Sequence, residues 1–129
     1  MVELPISEGD WNTEKHVPVI EFVNPPTMGE PIKITVTVGK QIAHPNKAEH
    51  HIEWIHVYFL ADDEKFPWEI AKFEFLSHGA SAAGPDTSTV YSIPEGTCTF
   101  NTEKNGTLIA LSSCNIHGLW KNTERIDLA

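Results

Sequence analysis

Along the chain, apolar and polar positions alternate and do not recur at helical spacing. In "PIKITVTV", Ile32, Ile34, Val36 and Val38 share one face while Lys33, Thr35 and Thr37 share the other, the pattern of a half-buried strand. The same reading predicts strands near 17–23, 31–38, 50–60, 68–76, 97–102, 107–113 and 121–127. Between them lies turn chemistry such as "NPPTMG", "ADDEKFP", "HGASAAGPD" and "NTEKNG". Seven short strands of this kind predict an all-β, immunoglobulin-like β-sandwich. "SEGDWNTEK" is the one segment expected to form a short N-terminal helical turn, with Ser7 as its cap. No repeat, low-complexity run or linker interrupts the pattern, so residues 1–129 read as a single domain.

Charge narrows the function classes. The formal net charge is -9, with no basic patch in the sequence, which argues against nucleic acid or an anionic membrane as partner. The first twenty residues lack a basic start and an apolar run, and no stretch approaches the ~18 apolar residues of a membrane span. The expectation is a soluble, cytoplasmic protein. In that setting Cys98 and Cys114 are expected as free thiols or metal ligands and not as a disulfide. Cys98, in "TCTF", reads as a small buried apolar residue.

The histidines change the picture further. Seven stand in a chain with nine Lys and Arg, and they are unevenly spread. "EKHVPVI" carries His16 before one strand, and "IAHPNKAEHHIEW" carries His44, His50 and His51 before another. A lone histidine is usually a surface or hydrogen-bonded residue, and His56 and His78 are read so. Adjacent strand residues face opposite sides, so at most one of His50 and His51 points at a common ion. His44 precedes Pro45, which makes the "HPN" segment a stiff extended or turn element. In "SSCNIHGLWKN", Cys114 and His117 form a Cys-x-x-His pair followed by Gly118, whose conformational freedom allows a tight turn. One thiolate with several imidazoles suits iron or copper as well as zinc.

Three segments, "GDWNTEKHVPVI", "HPNKAEHHIEWI" and "CNIHGLW", resemble in order and separation those of superoxide reductases, the neelaredoxin and desulfoferrodoxin group. The N-terminal region contains no cysteine, so the resemblance is to the one-iron form. It implies a seven-stranded sandwich and one mononuclear non-haem iron with four equatorial imidazoles, from His16, His44, His50 and His117, and an axial thiolate from Cys114. The resemblance chooses His50 over His51. It further implies Glu14 as the sixth ligand of the resting ferric state and Lys15 as the neighbouring cation.

The activity implied is one-electron reduction of superoxide to hydrogen peroxide, with a rubredoxin-like electron donor and a homo-oligomer, the homotetramer favoured. Superoxide is an anion approaching a protein of net charge -9, so local cations such as Lys15 have to reverse the overall field. Two other readings compete. A cupredoxin-like electron carrier would place a Met soon after its final His, yet the methionines are Met1 and Met28. A binding module with structural zinc would close with four ligands and leave histidines over.

Overall fold

The computed structural model describes residues 4–129. Its strands are β1 (Pro18–Phe22), β2 (Ile32–Val38), β3 (Ile52–Ala61), β4 (Trp68–Glu74), β5 (Glu95–Phe100), β6 (Gly106–Cys114) and β7 (Gly118–Ile126). They form two antiparallel sheets, ordered β1-β2-β5 and β4-β3-β6-β7. In the constant-type immunoglobulin arrangement the fourth strand joins the sheet of the first two. Here β4 pairs with β3 instead, which gives a three-on-four sandwich.

The alternation of β2 has its expected cause. Ile32, Ile34, Val36 and Val38 are all buried, packed in one cluster with Ile55, Val57 and Phe59 of β3 and Leu108 and Ala110 of β6. Each such side chain contributes about 1.5–3 kcal/mol by leaving water. Cys98 is half-buried against this cluster, and burial pushes its thiol pKa up. At the end of β6 burial continues while the chemistry turns polar, through Ser112 and Ser113 to Cys114. Ser112 Oγ donates to His16 O at 2.9 Å, so this buried hydroxyl ties β6 to the chain just before β1.

The N-terminal helical turn is not formed. Ser7 makes a parallel bridge with Trp120 of β7 and so extends a sheet edge instead of capping a helix. Residues 10–14 then make a single hydrogen-bonded turn in which Thr13 N and Glu14 N both donate to Asp10 O, with Asp10 Oδ1 accepting from Asn12 N. It ends because the chain must straighten into β1 at Pro18. Among the described residues no helix is long and apolar enough to cross a membrane.

Candidate metal centre

Antiparallel pairing brings the start of β1 beside the end of β2, the start of β3 beside the end of β6, and the end of β6 beside the start of β7. All these termini lie at one end of the sandwich. His16 precedes β1, His44 follows β2, His50 precedes β3, Cys114 ends β6 and His117 lies in the turn to β7. Residues separated by about a hundred positions thereby converge: the ligand atoms of His16, His50, Cys114 and His117 lie within 4.8 Å of one another.

His44 completes a closed cycle. Ring centroids are 4.8 Å apart for His16–His44, 4.8 Å for His44–His50, 5.2 Å for His50–His117 and 4.8 Å for His117–His16. Hydrogen bonds on the outer nitrogens fix which atoms face inward. His16 Nδ1 donates to Glu14 Oε1 at 2.5 Å, leaving Nε2 bare and 3.2 Å from His117 Nδ1. His44 Nδ1 donates to Pro45 O at 2.7 Å, leaving Nε2 at 3.5 Å from Cys114 Sγ. His50 Nε2 is buried with no hydrogen-bond partner among the described residues. An orphaned buried nitrogen beside other bare nitrogens is costly unless something accepts their lone pairs. A cation does so, and this donor set of imidazoles and one sulfur fits iron.

Cys114 Sγ lies beside the same cycle, 3.7 Å from His117 Nδ1, and accepts a backbone hydrogen bond from His117 N at 3.4 Å. The turn that makes this possible is a three-residue hairpin loop with Cys114 opposite Gly118. Gly118 has φ +75°, and no atom lies within 4 Å of where a Cβ would stand, so backbone conformation and not space calls for glycine. At Gly39, φ +85°, both matter: a Cβ there would lie 2.8 Å from His44 N, so the glycine lets the chain after β2 fold closely under the His44 segment.

At His44 and His50 the surroundings favour the neutral imidazole, the form that binds metal. Burial, with the nearby His16, His50 and Lys15 charges, pushes His44 down to about 4, against the opposing bond to Pro45 O. Burial, His117, His16 and Lys15 likewise lower His50. Burial pushes the Glu14 carboxyl up, but hydrogen bonds from His16 N and Nδ1 outweigh it and hold the group below its ordinary range. Glu14 therefore stands on the outer side of His16 in this conformation. Lys15 is close enough for its charge to act on His44 and His50, and it joins none of the ion pairs among the described residues. Lys40 and Lys121 are engaged by Glu21 and Glu8.

The remaining histidines do other work. His51 turns away from the cycle, donates from Nδ1 to Lys47 O at 2.8 Å and stacks on His78 at 3.6 Å. His78 in turn is bonded to Asn46 Oδ1 and Phe75 O, and His56 stacks on Trp54. Sequence reasoning missed two supports of the site. Trp120 stacks on His16 at 4.7 Å and donates to His117 O, and Asn46 donates to Ser92 O while accepting from His78. Both stand inside the "CNIHGLW" and "HPNKAEHHIEWI" segments, next to ligand candidates, and that adjacency is the signal that points to them. The cupredoxin-like reading gains no support: Met28 is 53% exposed in the β1–β2 connection.

Known proteins resemble this chain over nearly its whole length. The family model for desulfoferrodoxin matches residues 8–123. A superoxide reductase of Pyrococcus furiosus is 50% identical over 122 residues, covering 95% of this chain and 96% of the relative. A neelaredoxin of Megalodesulfovibrio gigas is 44% identical over 119 residues, covering 92% of each. The structure of a reduced superoxide reductase (neelaredoxin) from Archaeoglobus fulgidus superimposes with a TM-score of 0.89 at 46% identity, covering 95% of this chain and 98% of that one.

Proposed function

This chain belongs to the desulfoferrodoxin family, and on that premise we propose that it is a superoxide reductase whose residues 1–129 form one domain around one mononuclear iron. The observation that carries the reading is the closed cycle of His16, His44, His50 and His117 beside Cys114 Sγ, with His50 Nε2 buried and without a partner among the described residues. These five residues would hold the iron. When bound, the iron supplies the one-electron reduction of superoxide, which with two protons yields hydrogen peroxide and leaves the protein to be re-reduced by an external donor.

The chain's own residues prepare that chemistry. The Glu14 carboxylate holds the His16 proton on Nδ1, and Pro45 O holds the His44 proton on Nδ1, so both rings keep Nε2 as a donor. The His117 N–H bonded to Cys114 Sγ holds the sulfur beside the imidazoles. Lys15 supplies positive charge beside the cycle and draws an anion in against the -9 background. Glu14 is assigned as the reversible sixth ligand of the resting ferric protein, and ligation would require it to leave His16 Nδ1.

A rubredoxin-like protein as donor, a homotetramer as the assembly and the cytoplasm as the compartment complete the proposal. The unpaired Cys98 and Cys114 suit a reducing compartment. Metal analysis of protein purified from iron-supplied cells tests the reading. About one iron per chain is expected; stoichiometric zinc or copper that iron cannot replace would overturn it.

A further inference from the structure

Asn115 carries no ligand atom, yet its amide reaches to both sides of His50. Asn115 Oδ1 accepts from His51 N at 2.8 Å, and Asn115 Nδ2 donates to Glu49 O at 2.8 Å. Its backbone N also donates to His51 O at 3.2 Å. The three bonds bracket His50 without touching its ring.

Their position in the fold explains why they are needed. The β3–β6 ladder is irregular between Ile52 and Trp54, and its last pair is Ile52 with Cys114. Residues 49–51 lie beyond that pair, held in the backbone by one bond from Asn115 N to His51 O and by the Lys47–His50 bridge. Among the described residues, His50 Nε2 has no hydrogen-bond partner to orient the ring. An amide is the side chain that offers donor and acceptor together, so Asn115 adds two side-chain bonds to the single backbone bond that joins this step of the chain to the end of β6.

We propose that Asn115 is a positioning residue for the metal centre: by fixing Glu49 and His51 to the turn that carries Cys114 and His117, it sets His50 at the distance a shared ion requires. The inference rests on the assignment of His50 as a ligand. Groups that hydrogen-bond a metal ligand directly typically cost about 10–100-fold in metal affinity when removed, and Asn115, which holds the backbone on both sides of His50, is assigned an effect in that range. A merely structural clamp would lower stability and leave affinity alone.

The test is anaerobic titration of metal-free protein with ferrous iron against a chromogenic chelator, with melting temperatures of the metal-free forms measured alongside. Asn115→Ala should bind iron about 10–100-fold more weakly than the wild type. Asn115→Asp, which keeps the acceptor for His51 N and loses the donor to Glu49 O, should fall between them. Asn105→Ala, which removes a comparable bond from Leu128 N at the opposite end of the sandwich, should bind as the wild type does. Unchanged affinity in both Asn115 variants overturns the proposal, whatever their melting temperatures. If Asn115→Ala does not fold, Asn115→Asp decides by the same criterion. His50→Ala separates the two levels: weakened binding there with intact Asn115 variants sinks the clamp alone, whereas unchanged binding sinks the ligand assignment beneath it.

Discussion

The Glu14 carboxylate accepts the Nδ1 proton of His16 across 2.5 Å, on the far side of the ring from the nitrogen that faces the other imidazoles. The residue thus has a supporting contact in this conformation and a proposed ligating one in the ferric state. Glu14→Ala should change the ferric spectrum and loosen iron, yet keep rapid superoxide consumption by the reduced protein. Pulse radiolysis checks it. A loss of the fast reaction as large as that of Cys114→Ser would contradict this division of roles.

Cys114 is buried, and its Sγ accepts the His117 N–H beside the imidazoles. The oxidised iron protein should be blue from thiolate-to-iron charge transfer, and Cys114→Ser should abolish that band. An oxidised wild type without the band, or a serine variant that keeps it, would remove sulfur from the ligand set.

Lys15 acts where the local site and the net charge oppose each other. A unit charge roughly 6 Å from an anion is worth about 0.7 kcal/mol at water's dielectric and about 2.8 kcal/mol at an effective value of 20. At ~1.36 kcal/mol per tenfold in rate, Lys15→Ile should slow the bimolecular reaction by about 3-fold to about 100-fold. Raising ionic strength should slow the wild type, and the variant should lose or reverse that slope. Identical rates and slopes in a salt series would make Lys15 an ordinary solvated residue.

Gly118 holds the left-handed turn that closes the Cys114–His117 loop. Gly118→Ala should cost about 1–2 kcal/mol of stability in denaturant unfolding. A neutral outcome would mean that the turn relaxes freely, and the loop would then not be a rigid ligand holder.

Much of the fold is legible in the sequence because local alternation survives folding. The Ile32-to-Val38 pattern marks a buried face without any partner being known. Strand ends are less legible: β3 begins at Ile52 and not at residue 50, because the irregular pairing near Cys114 stops the ladder there. The assignment of β4 to the sheet of β3 depends on non-local pairing that no local pattern encodes. Period-two reasoning can say that His50 and His51 diverge, but not which faces the site. In the fold, His51 bonds Lys47 O and stacks on His78, and His50 is the one that joins the other imidazoles. The N-terminal segment misleads because its polar, cap-like residues suit a helix locally, while the edge of β7 offers Ser7 a backbone partner.

The most direct test of the central claim is product stoichiometry when the fully reduced iron protein meets superoxide. A superoxide reductase yields one hydrogen peroxide for each superoxide consumed, oxidises one iron each time and releases no dioxygen. One peroxide per two superoxides, with dioxygen released and the iron's oxidation state unchanged, would instead describe a dismutase and contradict the account.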